Sequence, residues 1–332
     1  MACPTCQYPS DYKSFHEKIY PLKYSDEKEG YYCKHCSYLY PVIENIVIAL
    51  PKDRIKEENS IERIREFINK NHNEDEEFIE GKYLNYSHYL RYKHYKEVIN
   101  ELDRIEKDTI LFDIGCGGGA MSKYSKGKYI GLEREINRLL VASLNKKHIF
   151  ILGDILHLPL RTASIKKFIS FAVIEHTLDF NLAIQNLKRV ASKVGFIAVP
   201  ARDRFNFLDD PVNYIRLKNN QVPVYFGVFA FGHMGMLDYL GWRGLLIRKG
   251  FEIFKEGTEK KTIISQCLNL ILYILFYKRK FNDVPVGIIT YRKFKYIARL
   301  WEIVKKFDFC LFKQHMTVEF FVRRRFDNEQ NI

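Results

Sequence analysis

The chain has 332 residues, of which 47% are hydrophobic and 28% are charged, and this balance excludes an intrinsically disordered protein. The net charge of +13 is uneven, because residues 1–108 carry 17 Lys or Arg against 21 Asp or Glu, whereas residues 109–332 carry 36 against 19. The basic charge of residues 109–332 favours an anionic partner such as RNA or a phospholipid surface, or it forms a well-solvated Lys-rich face. The sequence has no run of about 20 apolar residues, so it does not predict a membrane span.

Two Cys-x-x-Cys pairs, Cys3/Cys6 and Cys33/Cys36, are separated by 26 residues. Two residues between thiolates allow a tight turn to direct both sulfurs at one ion, so two such pairs predict a tetrahedral zinc site. All four ligand positions are then filled, which predicts a structural zinc ion. Two redox-active dithiols are the alternative, but the strand–motif–helix setting of a thioredoxin-like site is missing. His16 and His35 lie nearby and could substitute as ligands, but the four cysteines suffice.

The N-terminus lacks a basic segment followed by an apolar stretch, so we expect a cytoplasmic protein in which paired cysteines bind metal. Tyr residues on both sides of the second pair predict strands at 31–32 and 38–40. The stretch Tyr40–Ile46 resembles the Tyr-Pro-x-x-x-Gly-Ile ending of short zinc ribbons found beside or fused to methyltransferases. Asn45 occupies the position of the glycine, which predicts a left-handed turn at this residue. We expect the ribbon to cover residues 1–50.

The segment 51–108 is predicted to be a helical linker. Apolar residues recur at helical spacing over about 55–70, and the polar, acidic stretch 71–80 predicts a loop. The aromatic-rich stretch 83–95 predicts a helix packed on the main domain, or else part of a lid over a substrate or cofactor.

From residue 109 the chain alternates strands and helices. Thr109–Ile114 predicts a buried strand that leads into a glycine-rich turn, and Met121–Lys126 can begin a helix. Further strands are predicted at 129–133, 148–152, 167–172, 195–200 and 251–254, with a helix around 183–190. This pattern predicts an α/β fold of Rossmann-like type, with a mostly parallel sheet, helices on both faces and ligands at the carboxyl ends of the strands.

The segment Asp113–Gly119 (Asp-Ile-Gly-Cys-Gly-Gly-Gly), the acid at the end of the second strand and Gly153–Pro159 (Gly-Asp-x-x-x-Leu-Pro) together resemble the class I S-adenosylmethionine-dependent methyltransferases, in particular their type 11 group. The resemblance covers about 109–256 plus the final strand, and implies a seven-stranded sheet. It also implies the cofactor-binding residues, from the glycine loop to the fourth strand: Asp113, Gly115, Cys116, Gly117, Glu133, Asp154, Ile155 and Phe171.

By this resemblance Gly115 and Gly117 border the methionine part of the cofactor, and Asp113 orders the loop. Glu133 holds the ribose diol. Asp154 accepts from the adenine amino group, and Ile155 packs on the ring.

Methyl transfer from a sulfonium needs mainly an aligned nucleophile and a base for its proton. The candidate catalytic residues are His176, with Glu175 beside it, and His233; each histidine could equally be structural. No Asn/Asp-Pro-Pro-Tyr or Pro-Cys follows the fourth strand, which disfavours exocyclic amino methylation and cytosine C5 methylation. Some relatives bind a metal through Glu-x-x-Glu-His here, but Ala172 replaces the first acid, which argues against a catalytic metal.

The C-terminal part contains an insertion at 257–313, and the last strand of the core is predicted at 315–323 within a segment 314–326. An apolar stretch capped by basic residues, 262–280, predicts peripheral contact with the inner membrane surface, or a buried helix over the active-site cleft. A further helix is predicted at 296–307.

We expect a methyltransferase acting on an oxygen or nitrogen of a lipid, quinone, glycan or other small-molecule acceptor. An RNA methyltransferase that uses the ribbon and the basic surface, and a non-catalytic partner protein with this fold, are the alternatives. The sequence does not indicate the oligomeric state.

Overall fold

The computed structural model describes residues 1–7, 20–57, 59–70, 86–107, 109–201, 237–262 and 313–325. Within these residues the strands are β1 (Leu22–Ser25), β2 (Gly30–Cys33), β3 (Leu39–Ile43), β4 (Ile46–Ile48), β5 (Leu111–Ile114), β6 (Tyr129–Glu133), β7 (Ile149–Leu152), β8 (Ile165–Phe171), β9 (Ala191–Pro200), β10 (Phe251–Thr262) and β11 (Lys313–Arg324). The helices are α1 (Pro4–Gln7), α2 (Lys52–Glu57), α3 (Ser60–Lys70), α4 (Tyr86–Ile105), α5 (Ile136–Ala142), α6 (Phe180–Val190) and α7 (Tyr239–Arg248).

All eleven of these strands form one sheet, in the order β1-β2-β3-β4-β7-β6-β5-β8-β9-β11-β10. The seven strands β5 to β11 form the predicted core: β7, β6, β5, β8 and β9 are parallel to one another, β11 is antiparallel to β9, and β10 is antiparallel to β11. Strand order reverses at β5, between β6 and β8, which is where open α/β sheets bind their ligands. The predicted α/β fold is confirmed.

Buried side chains divide into two clusters because successive residues of a strand point to opposite faces. Leu111 belongs to one cluster, which α3, α4 and α5 cover, and Phe112 belongs to the other, which α6 and α7 cover. Helices therefore lie on both faces of the sheet, as predicted.

Two local predictions were wrong. Met121–Lys126 was expected to begin a helix, but only the five-residue 3-10 helix Ala120–Tyr124 follows the glycine loop. Gly119, with φ of 76°, precedes it and ends the loop in a left-handed conformation. The second error concerns the ribbon turn, where Glu44 and not Asn45 is left-handed, with φ of 51°.

Asn45 has a different role from the one its position predicted. Its Nδ2 donates to three backbone carbonyls, those of Ser143 (2.9 Å), Asn145 (3.2 Å) and His148 (3.1 Å). These carbonyls lie in the connection between α5 and β7, about 100 residues away in the chain. Asn45 thus attaches the ribbon to the core.

The predicted helix at 55–70 is divided into α2 and α3. The aromatic stretch 83–95 overlaps the first half of α4, where Tyr95 is buried against Phe171 with ring centroids 4.9 Å apart. The loop at 71–80, the membrane-contacting stretch 262–280 beyond Thr262 and the helix at 296–307 lie outside the described residues. Among the residues that are described, no helix combines the length and the apolar character needed to cross a membrane.

Candidate cofactor and metal sites

The glycine loop begins where the central strand β5 ends. Gly115 has a φ of 82°, and a Cβ atom there would lie 2.2 Å from Val173 Cγ2. Both the left-handed backbone conformation and the lack of space for a side chain therefore require glycine. Gly117 has a φ of 55°, but a Cβ atom there would have no described atom within 4 Å. The loop is therefore packed against the end of β8 at Gly115 and open at Gly117, where a ligand can approach the backbone.

Glu133 joins the glycine loop to the end of β6. One carboxylate oxygen accepts from the Gly117 N–H (2.8 Å), and the other accepts from the N–H groups of Arg134 and Glu135 (2.8 Å each). The N–H groups of Gly115 and Cys116 also donate to the carbonyl of Leu132. These bonds hold the carboxylate at the mouth of the loop, the place where the resemblance puts the ribose.

Asp113 is 2% exposed and lies below the loop. Tyr129 Oη donates to its Oδ2 at 2.6 Å. Burial is the main reason why the pKa of Asp113 is raised, to about 7; the Tyr129 hydrogen bond lowers this pKa, and the neighbouring Glu133 carboxylate raises it. Burial also raises the pKa of the Cys116 thiol, so this cysteine is a small apolar side chain rather than a nucleophile. Tyr129 was not among the predicted site residues, although its place on the neighbouring strand was predicted.

Asp154 lies at the carboxyl end of β7. Its Oδ1 accepts from the Leu156 N–H (2.9 Å), and its Oδ2 lies 3.6 Å from Arg134 Nε and 3.8 Å from His157 Nδ1. Burial alone would raise the pKa of this carboxyl group, but the interactions with His157, the Leu156 N–H and Arg134 lower it overall. Ile155 is 5% exposed and packs in the core beneath.

The end of β8 contributes the remaining predicted residues. Ala172 has a φ of 55°, an uncommon conformation for a residue with a Cβ atom, and it turns the chain so that Val173 reaches Gly115. Glu175 is fully buried, whereas the side chain of His176 is 39% exposed, with its Nε2 atom 3.9 Å from Glu175 Oε1.

Phe171 is half-buried beside Phe196, with ring centroids 6.1 Å apart. His233 lies outside the described residues. Because β7, β6, β5 and β8 are neighbours in the sheet, the structure places Asp154, Glu133, the glycine loop and His176 along one edge.

The four predicted zinc ligands lie together in the ribbon. One ligand atom from each of Cys3, Cys6, Cys33 and Cys36 lies within 4.8 Å of the others, and all four cysteines are free thiols. The Cys3–Cys36 and Cys6–Cys33 sulfur distances are 3.7 and 3.8 Å. Four sulfurs placed at about 2.3 Å from one tetrahedral ion are about 3.8 Å apart, so the cluster has the dimensions of a zinc site.

The thiols differ in their electrostatic surroundings. Burial raises the pKa of Cys3 to about 12 and also raises the pKa of Cys6. Burial acts in the same direction on Cys33, but backbone N–H groups of Cys36 and His35 lower the pKa of its thiol overall. The ring of His35 lies against that of Tyr20, with centroids 4.6 Å apart and planes tilted by 36°. His16 lies outside the described residues.

The core is similar to one known protein family. Residues 112–199 match the family model described as "Methyltransferase domain". These residues contain the glycine loop, Glu133, Asp154 and His176, so this part of the chain is similar to a methyltransferase domain. No curated protein matches the sequence.

Solved structures similar to the chain have low identity to it. The YcgJ protein of Bacillus subtilis is 13% identical, with 70% of this chain and 99% of that chain covered and a TM-score of 0.43. Phosphoethanolamine N-methyltransferase 2 of Haemonchus contortus, in complex with S-adenosyl-L-methionine, is 14% identical, with 70% and 52% covered and a TM-score of 0.43. A complex of the Haloferax volcanii Trm112 methyltransferase activator with a methyltransferase gives 13% identity, 71% and 92% covered and a TM-score of 0.42.

Proposed function

We propose that this protein transfers a methyl group from S-adenosylmethionine to an oxygen or nitrogen atom of a lipid, quinone, glycan or other small-molecule acceptor. The observation that carries the proposal is the arrangement along one sheet edge. Four groups lie at the ends of adjacent strands. In sheet order they are the carboxylate of Asp154, the carboxylate of Glu133, the open backbone at Gly117 and the partly exposed imidazole of His176.

In this proposal the chain binds and orients the cofactor through residues that are already held in place. Glu133 accepts from the ribose hydroxyls, since a carboxylate that is bound to three N–H groups still has lone pairs for hydroxyl donors. Asp154, held by Leu156 N–H, accepts from the adenine amino group. Gly117 would border the methionine part, whose sulfonium would supply an activated methyl group.

His176 is the proposed base. The acceptor atom forms a bond to the methyl carbon, the carbon–sulfur bond breaks with its electron pair on sulfur, and the proton of the acceptor moves to the His176 imidazole. Glu175 is buried beside it, with its Oε1 atom 3.9 Å from His176 Nε2. The partial exposure of His176 leaves room for an acceptor at the end of β8.

The first test is a calorimetric titration with S-adenosylmethionine and with S-adenosylhomocysteine. We expect the wild-type protein to bind both compounds saturably. In Glu133→Gln the dissociation constant should rise about tenfold or more, because a hydrogen bond to a charged group contributes about 1.5–3 kcal/mol. Glu135→Gln is the matched control, since Glu135 is at the surface, paired with Arg138 at 2.7 Å. Absence of binding by the wild-type protein would contradict the proposal as a whole.

The second test separates the acceptor classes. Labelled methyl groups should appear in lipid or small-molecule fractions, and transfer only to RNA would overturn the acceptor class. We expect His176→Ala to lower kcat about 100-fold or more while the cofactor affinity stays within about twofold, as for removal of a general base. An equal loss of cofactor affinity would assign His176 to binding.

A further inference from the structure

The zinc ribbon completes the sheet beside the strand that carries Asp154. β4 pairs in parallel with β7 through Ile46/Phe150, Val47/Ile151 and Ile48/Leu152. The pairing extends beyond the strand ends, since Phe150 N–H donates to Asn45 O and Ala49 N–H donates to Leu152 O, both at 2.8 Å. Residues 46–50 are all buried. Without the ribbon, β7 would therefore be an edge strand with unpaired backbone groups and exposed apolar side chains.

A second connection runs from a metal ligand to the loop that follows Asp154. The N–H group of Ala2 donates to the carbonyl of Pro159 at 2.9 Å, and Ala2 is fully buried. Ala2 precedes Cys3, whose own N–H donates to Tyr20 O at 2.8 Å. The position of the Pro159 carbonyl is thus linked to the position of the Cys3 sulfur through one residue.

A third connection passes through Tyr40, which is fully buried. Its hydroxyl lies 3.2 Å from Cys3 Sγ and 2.6 Å from Thr5 Oγ1. Thr5 Oγ1 accepts from the N–H group of Lys52 at 3.1 Å, at the start of α2. The first cysteine pair, the strand β3 and the beginning of the helical segment are therefore connected by a hydrogen-bond network that includes a metal ligand.

We infer that the ribbon is part of the cofactor site: its bound metal positions β7 and the 153–159 loop, so that S-adenosylmethionine affinity depends on zinc. Ala2 is a positioning residue in this arrangement. The inference rests on the proposed function, because it assigns the adenine contact to Asp154.

The physical reason is that a four-cysteine ribbon of this size draws most of its stability from the metal. Without the ion, the two cysteine pairs lose their common centre, and the Ala2 and β4 contacts loosen with them. A loop that spends about a tenth of the time in its binding conformation lowers the apparent affinity about tenfold.

The test compares metal content, affinity and local protection in the full chain. Cys33→Ser should lose zinc and raise the dissociation constant for S-adenosylmethionine about tenfold or more. Lys34→Ser, at an exposed position in the same turn, is the matched control and should change neither. Hydrogen exchange should rise in 46–50 and 149–159, while β9 and β11 stay protected. Should Cys33→Ser fail to fold, removal of zinc from the wild-type protein with a chelator replaces it.

A second pair of variants tests the backbone connection with the metal in place. Ala2→Pro removes the N–H group that donates to Pro159, whereas Ala2→Gly keeps it. We expect both to retain one zinc ion per chain and only Ala2→Pro to lose affinity, by about threefold to tenfold for one hydrogen bond.

The outcomes distinguish this inference from the proposed function. No binding by the zinc-loaded wild-type protein overturns the proposed function. Equal affinity with and without zinc overturns the inference alone. A rise of exchange throughout β9 and β11 also overturns it, because zinc would then stabilise the whole fold rather than position one loop.

Discussion

Asp113 should make the stability of this protein fall as pH rises from about 4 to about 7. Its carboxyl group is buried under the glycine loop, and its folded pKa of about 7 lies above the ordinary aspartate value of 3.8. The folded protein therefore binds this proton more tightly than the unfolded chain does. The stability that the proton contributes is complete at low pH and is lost as pH rises through this range.

The magnitude follows from the pKa difference of about three units, which corresponds to about 4 kcal/mol when the group is fully ionised in both states. Between pH 5 and pH 7.5, the titration curves of Asp113 in the folded and unfolded states predict that the free energy of unfolding falls by about 2.5 kcal/mol. Asp113→Asn removes the titration but keeps an oxygen that can accept from Tyr129 Oη. The free energy of unfolding of the variant, relative to that of the wild-type protein, should rise by about 2.5 kcal/mol over this interval.

The assay is urea unfolding followed by circular dichroism at pH 5, 6, 7 and 7.5, with both proteins in the same buffers. Asp179→Asn is the control for the loss of one negative charge, because Asp179 caps α6 through Leu182 N–H at an exposed position. A difference between wild type and Asp113→Asn that stays constant with pH, or that falls as pH rises, would refute the reasoning.

Two other predictions concern packing and the attachment of the ribbon. Asn45→Ala should lower the free energy of unfolding by about 1–3 kcal/mol, because three carbonyls lose their donor. It should also raise hydrogen exchange in β4, and an unchanged exchange rate in β4 would count against this attachment. Gly195→Ala should destabilise the protein by about 1–3 kcal/mol in urea unfolding, because its Cβ atom would lie 2.0 Å from Phe168 Cε1 between two central strands. Gly244→Ala is its control: the nearest atom is the flexible end of Arg248, 3.2 Å away, and helix propensity predicts a gain of up to about 1 kcal/mol. Equal changes in the free energy of unfolding at the two glycines would show that contact with Phe168 does not determine the loss of stability.

Much of the fold and of the candidate site was predictable because the signals are local. The spacing of the cysteines puts each thiol pair in one turn, and the glycines of 115–119 follow a strand whose apolar residues are continuous. Acids that follow buried parallel strands must lie at the same edge of a sheet, so Glu133 and Asp154 could be placed together without coordinates.

Contacts between distant parts of the chain had no comparable signal. Tyr129 was predicted to be in a strand, but its hydrogen bond to Asp113 depends on the register between β5 and β6. Asn45 was predicted to form a left-handed turn, yet its side chain binds carbonyls about 100 residues away.

By itself, the sequence determined the two cysteine pairs of the candidate metal site, the order of strands and helices in the core, and the residue types along the edge of the candidate cofactor site, because each depends on spacing within a few residues. Only the tertiary structure decided that β4 pairs with β7, that Ala2 reaches Pro159, and that Asp113 is buried beside Tyr129. Such contacts depend on strand register and chain packing over long separations, and neither property is recorded in a local pattern of residues.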